Sequence, residues 1–310
     1  MPTRYSHWSA LAALSLCLLA LAGCNRDQSS IGSLDKVWGR RGLSDGRFQK
    51  PRAMAIDKHD NVYVVDMTAR IQVFDTDGNF LRFWETPAHE NGRPTGMSID
   101  RDGNLGVADT HYFEVLFYSP EGKLLRKIGP DHGPGPGQFG LVTDVVEDSK
   151  GNYYVSEYGE LDRVQKFSHD GKFLLQWGTH GDGPGEFSRP QGLEVDDQDR
   201  IWVADSANNR MQVFDTEGKL LFMWGKGGTG LGELSCPYNF VLDGQGHVYV
   251  VELGNNRVQK FTLDGKSLGT WGTAGSDEGQ LFNPWAIARD SQGRIYVLDT
   301  GNHRVERIRM

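Results

Sequence analysis

Seven side chains in this sequence stand where its repeating pattern does not require them, and their types suit the holding of a polar ligand. Arg52, Tyr238 and Trp285 open short β-forming runs that elsewhere open with Thr95, Thr143 and Gln191. One position further on, Asp144 and Asn239 replace the alanine or glycine of Ala53, Gly96, Gly192 and Ala286. A pocket made of Arg52, Asp144, Tyr238, Asn239 and Trp285 would offer polar anchors between aromatic walls. His111 and Tyr158 decorate two aberrant loops and are expected at the same mouth.

A second set of acids recurs too regularly to be a special site. Asp66, Asp109, Glu157, Asp205, Glu252 and Asp299 each end a Val/Ile-rich run, 43 to 48 residues apart. A ring of carboxylates can attract a cation. A feature present in every copy is better read as architecture, each acid accepting bonds from its own loop or from an arginine such as Arg70, Arg210, Arg257 or Arg304. Other chemistries lack their motifs. No glycine-rich phosphate loop leads into a helix, and no nucleophile elbow is present. Of the three cysteines, Cys17 and Cys24 lie at the N-terminus, so Cys236 alone remains for the body. One thiol makes neither an internal disulfide nor a multi-cysteine zinc site, and Cys236 reads as a small, partly buried apolar residue.

The elements that position these residues are copies of one unit. Nine residues before each recurring acid lies another aspartate: Asp57, Asp100, Asp148, Asp196, Asp243 and Asp290. The fourth unit reads as strands over 190–196, 201–205, 210–214 and 219–225, separated by turns rich in Gly, Asp and Asn. Four strands in such a period specify a blade of a β-propeller, and six units specify six blades. Small residues recur at the third position of the first strand, where blades converge. Met54, Met97, Val145, Leu193, Phe240 and Ile287 follow at the fourth, apolar throughout, as blade-to-blade packing needs. The fold class is therefore all-β: a six-bladed β-propeller of four-stranded antiparallel blades. The sixth unit ends after its third strand, and residues 34–39 carry the missing Trp-Gly ending, so the N-terminal segment is expected to complete the last blade.

Asn208-Asn209-Arg210, Asn255-Asn256-Arg257 and Asn302-His303-Arg304, with the Gly-Pro-Gly-Glu-Phe-Ser-Arg-Pro linker at 183–190, resemble the NHL repeat family. The likeness spans about residues 31–310 and is strongest in units three to six. Unit one is shortened and unit two departs at Thr110-His111-Tyr112-Phe113-Glu114. The resemblance implies a six-bladed propeller and a choice among protein binding, RNA binding, sensing and a lyase. The family's peptidyl-hydroxyglycine lyase holds zinc through histidines at the starts of several first strands. Here those positions are Arg52, Thr95, Thr143, Gln191, Tyr238 and Trp285, with no histidine among them. A three-histidine site would have to assemble from His89, His111, His132, His180 and His303 in loops and linkers of different blades.

The N-terminus sets the expected location. Arg4 and His7 precede an apolar run from Trp8 to Ala22, which suits a signal-peptide core and is short for a membrane span. It ends in Leu21-Ala22-Gly23-Cys24, which resembles a bacterial lipobox. That resemblance implies a lipoprotein signal peptide over 1–23, lipidation of Cys24, a polar tether over 24–30 and the propeller over 31–310. By resemblance to proteobacterial sorting rules, Asn25 rather than aspartate after the cysteine implies the outer membrane. The whole chain carries a formal net charge of −8, which opposes nucleic-acid binding. The expected protein is a monomeric, lipid-anchored, extracytoplasmic module that binds a cell-envelope protein, peptide or glycan, with no cofactor and no metal. A propeller enzyme, either a metal-dependent lyase or a lactone hydrolase, is the competing reading.

Overall fold

The computed structural model describes residues 30–310 apart from His89, Asn91, Gly92, Pro130 and Glu160. The signal run, Cys24 and tether residues 25–29 lie outside the described residues. Six four-stranded antiparallel sheets follow one another in the ring. Blade 1 comprises Pro51–Ile56, Val62–Asp66, Arg70–Phe74 and Phe80–Glu85; blade 2 comprises Gly96–Ile99, Leu105–Asp109, Glu114–Tyr118 and Leu124–Ile128. Blade 3 runs through Leu141–Glu147, Tyr153–Tyr158, Arg163–Phe167 and Phe173–Trp177; blade 4 through Pro190–Val195, Ile201–Asp205, Arg210–Phe214 and Leu220–Trp224. Blade 5 is Pro237–Leu242, His247–Glu252, Arg257–Thr262 and Ser267–Trp271, and blade 6 is Ala286–Arg289, Ile295–Asp299 and Arg304–Arg309. The strands expected for unit four are met to within a residue at each end.

Burial follows from stacking. The second and third strands of blade 4 are buried at every position, because each face meets a neighbouring blade. Its outer strand, Leu220–Trp224, alternates between half-buried and exposed, as a strand with one covered face does. Met54, Met97, Val145, Leu193, Phe240 and Ile287 fall into six separate core clusters, one per blade interface.

The earlier aspartate of each unit builds the turn between first and second strands. Asp196 Oδ1 accepts the backbone N–H groups of Gln198 and Arg200, and Oδ2 accepts Arg200 Nε at 2.6 Å and Trp202 Nε1 at 2.8 Å. Asp57, Asp148 and Asp290 accept a tyrosine hydroxyl instead, from Tyr63, Tyr154 and Tyr296. Blade 2 has Gly106 at that place, and Tyr153 of blade 3 reaches across to Asp100 at 3.2 Å.

The ring closes through the N-terminal segment. Ser33–Trp38 pairs antiparallel with Arg304–Arg309 and becomes the outer strand of blade 6. Arg307 Nε donates to Asp35 at 2.8 Å, and Thr300 Oγ1 donates to the carbonyl of Pro51 at 2.7 Å, tying blade 6 to blade 1. Both open edges of an unfinished ring are thereby paired.

Candidate functional site

Strand irregularities aim the mouth residues at the axis. In the inner strands of blades 1, 3 and 5 the pairing register shifts between Pro51 and Ala53, between Val142 and Asp144, and between Pro237 and Asn239. Arg52, Thr143 and Tyr238 are the extra residues of these bulges, and a bulge turns its side chain out of the regular alternation. Thr95 and Trp285 immediately precede the inner strands of blades 2 and 6, their N–H groups held by Ala108 and Leu298. Thr95, Thr143, Gln191, Tyr238 and Trp285 line one narrow cavity at the axis, and Arg52 joins them through Trp285.

Three of them form a stack. The rings of Tyr238 and Trp285 lie 4.9 Å apart and 30° from parallel, and the Arg52 guanidinium sits 4.6 Å from the centre of the Trp285 ring. Arg52 Nε is buried and has no hydrogen-bond partner among the described residues. Burial and the nearby Arg93 hold the Arg52 pKa below its ordinary value. Burial also pushes the Tyr238 hydroxyl up to about 12, so it stays a neutral hydrogen-bonding group. His111, the exposed residue of the turn Thr110–Tyr112, has its pKa lowered by partial burial and then by Arg52 and Arg93. Tyr158 lies half-buried on the other side, with Arg189 4.8 Å from its ring centre. A protein of negative net charge thus gathers three arginines around one aromatic opening.

Asp144 and Asn239 do different work from the rest of the expected pocket. They lie at a constriction of about 10 Å³, room for roughly one water. Asp144 accepts the N–H groups of Val145 and of Leu193 in the next blade, each at 3.0 Å. Asn239 Oδ1 accepts the N–H of Ile287 in blade 6 at 3.2 Å. Both are hydrogen-bonded rivets between inner strands, set below the stack.

Beneath the constriction the shaft widens into a chamber of about 300 Å³ whose charged lining residues are Asp144, Glu147, Glu194 and Arg289. Burial pushes Asp144 up to about 7, with its two backbone bonds working against the shift. Glu194 faces the chamber with part of its surface, yet its carboxyl is enclosed by protein; burial and then Asp144 push it up to about 8. Each is a carboxyl whose titration burial moves into the neutral range.

The recurring acids are scaffold. Asp205 is fully buried; it accepts Ser188 N–H at 2.8 Å, Arg210 Nε at 2.7 Å, and Asn208 Nδ2 at 2.9 Å. The same arginine donates to the carbonyls of Asp182, Gly183 and Glu186 in the preceding linker. Glu157 with Arg163, Glu252 with Arg257 and Asp299 with Arg304 repeat the arrangement. The histidines are dispersed. His132 packs on Phe113 at 4.2 Å, His180 Nδ1 lies 2.6 Å from Asp162, and His303 Nδ1 accepts the N–H of Lys50. His89 lies outside the described residues. Among the described residues, no three His, Cys, Asp or Glu side chains converge as metal ligands.

Sequence reasoning passed over Arg93, Arg189 and Glu194. A signal existed for the first two: two residues before the mouth position stand Lys50, Arg93, Leu141, Arg189, Cys236 and Asn283, a row with three basic members. Glu194 carries no such mark, because acids on strands are ordinarily solvent-facing.

The fold and the repeated linker clamps define a class, a six-bladed β-propeller. Residues 187–214 and 283–308 each match the NHL repeat model. The rat peptidylglycine alpha-amidating monooxygenase is 34% identical over 187 residues, covering 57% of this chain and 18% of that protein. Peptidyl-alpha-hydroxyglycine alpha-amidating lyase 1 of Drosophila melanogaster is 24% identical over 152 residues, covering 47% of this chain and 26% of that one. The chain thus spans a fifth to a quarter of the length of these two curated relatives. A gluconolactonase of Xanthomonas campestris superposes with a TM-score of 0.63 at 13% identity, covering 83% of this chain and 85% of that chain, a likeness of fold.

Proposed function

We propose that this protein is a binding module that captures an anionic group of a protein, peptide or glycan ligand in the mouth of its propeller. The observation that carries this reading is the Arg52–Trp285–Tyr238 stack, in which a buried guanidinium N–H lacks a partner while Arg93 and Arg189 stand nearby. Arg52 is half-buried against Trp285, and a carboxylate or sulfate offers its guanidinium charge-assisted bonds. The aromatic faces supply contact area that needs little ordering on binding. Arg52, Tyr238, Trp285, Tyr158 and His111 are the ligand-contacting residues on this reading; Asp144 and Asn239 support the opening from below. The module works outside the cytoplasm, tethered through a lipid on Cys24 to a bacterial membrane, with the outer membrane favoured by Asn25. Envelope components are then its partners.

The test is retention of envelope components by immobilised protein. Wild type is expected to retain a ligand that elutes with salt, and Arg52→Ala combined with Trp285→Ala is expected to lose it. Equal retention by both proteins overturns the reading.

A second reading is supported by the amidating relatives and by the carboxyls beneath the mouth whose titration burial moves into the neutral range: a propeller lyase or lactone hydrolase. Turnover of a peptidyl-α-hydroxyglycine or of a sugar lactone, abolished by Arg52→Ala, decides for it. No turnover of either decides against it.

A further inference from the structure

Blades 4, 5 and 6 latch each loop to the linker that follows. Asn209 Oδ1 accepts the N–H of Cys236, Asn256 Oδ1 accepts that of Asn283, and His303 Nδ1 accepts that of Lys50. At the seam between blades 2 and 3 the residue in the latch position is Phe113, and the linker residue it would hold is Leu141. An aromatic ring makes no such bond. Phe113 packs against His132 instead, and a cavity of about 330 Å³ opens beside them. Its side-chain walls are Phe113, His132, Pro134, Leu141, Tyr158 and Leu161. Leu161 stands where the repeat places an asparagine that bonds the linker, as Asn208 does with Gly181. Two polar latches have therefore become apolar together, around a space in the range of small-ligand pockets.

The cavity adjoins the cationic mouth. Tyr158 is common to both, walling the cavity while its ring lies under Arg189, and it acts electrostatically on Arg52. We infer that this seam is a specificity pocket for the apolar group of an anionic amphiphile, a ligand whose carboxylate is held by Arg52 and Arg189 while its aliphatic or aromatic part enters between blades 2 and 3. The inference rests on the mouth being an anion site and adds the chemistry of the remainder of the ligand. Phe113 itself speaks for selection of an apolar lining. It holds φ 56°, a left-handed conformation that asparagine adopts readily and an aromatic residue pays strain to adopt.

The same strain, relieved in an asparagine variant, offsets the packing that Phe113 makes against the core between blades 2 and 3. Phe113→Asn restores the repeat's own residue at a backbone angle that suits it, and Leu161→Asn does so for the second latch. Calorimetric titration of the full chain with hexanoate, octanoate and decanoate is expected to show affinity rising about threefold to fourfold per methylene, the increment for burying one CH₂. Either asparagine variant is expected to flatten that rise below twofold. Arg52→Ala is expected to weaken all three carboxylates by a common factor and to leave the rise intact. Should carboxylates bind no better than the alcohols of equal length, the anion site fails and this inference with it. Should they bind better than the alcohols while both asparagine variants keep the full chain-length dependence, the mouth stands and the apolar pocket alone is overturned.

Discussion

Blades 2 and 4 carry the same buried acid at the end of the second strand, Asp109 and Asp205, in opposite circumstances. Asp205 is the anchor of a clamp: Arg210 and Gln212 both donate to it, and both also donate to the carbonyl of Glu186, fastening the linker that enters the blade. In blade 2 the positions of that arginine and glutamine are held by Glu114 and Leu116. The linker ahead of it, Thr86 to Thr95, also lacks the glycine-rich motif that the clamp grips. Asp109 is left with one oxygen unpartnered among the described residues, and burial followed by repulsion from Glu114 pushes its pKa up to about 7. The pair teaches that the acid serves the arginine and the arginine serves the linker. Where the linker changes, the clamp dissolves, and the adjoining loop is freed to carry His111 and Phe113.

The largest test of that contrast is Arg210→Ala. It strands the buried Asp205 and unfastens its linker, and removing one partner of a buried pair costs about 3–5 kcal/mol. Chemical denaturation should show the midpoint falling accordingly; a loss below about 1 kcal/mol would mean the clamp holds nothing.

Asp109→Asn comes next and should act in the opposite direction. Folding raises the pKa of Asp109 above that of an unfolded aspartate, so its stability contribution is full at acid pH and is lost as pH rises through about 7. Wild type should therefore weaken between pH 5 and pH 8 more than the asparagine variant, by about 2–3 kcal/mol at the upper end. Parallel pH profiles would show that Asp109 is ionised and paired after all. Asp205, by contrast, also has its pKa raised by burial but keeps its bonds to Arg210 and Asn208, and Asp205→Asn should destabilise because it weakens the bond to Arg210.

Smallest is Glu114→Arg. It gives Asp109 a cation, removes the exposed Lys127 partner, and finds no linker motif to grip. A gain of about 1 kcal/mol or less is expected, because the arginine makes one of its two sets of bonds. A gain matching the Arg210→Ala loss would show that the acid–arginine bond carries the clamp by itself.

Much of the scaffold could be read from residue order. The interval of nine between paired acids, the strand bounds of unit four and the closing strand before unit one are all local patterns set by turn chemistry and by burial on both faces of a blade. The mouth was read less completely. Arg52, Tyr238 and Trp285 were visible as breaks in a row, and they do meet. Asp144 and Asn239 were visible in the same way, yet Asp144 accepts from Val145 and Leu193 and Asn239 Oδ1 from Ile287. A break in a repeat marks a residue as special without telling whether its bonds go to a ligand or to the next blade. Arg163 was missed as the clamp of blade 3 because its loop, from Tyr158 to Asp162, is one residue longer and displaces the motif.

Sequence by itself determined the number of blades, the apolar and acidic positions of each and the way the ring is stitched, because these depend on periodicity and on contacts between residues near in the chain or in equivalent units. Only the tertiary structure decided that arginines from three separate segments share one opening, that burial moves two carboxyls below it into the neutral range, and that the seam between blades 2 and 3 stands open. Those properties come from the convergence of segments far apart in the chain, where desolvation and neighbouring charge act through space.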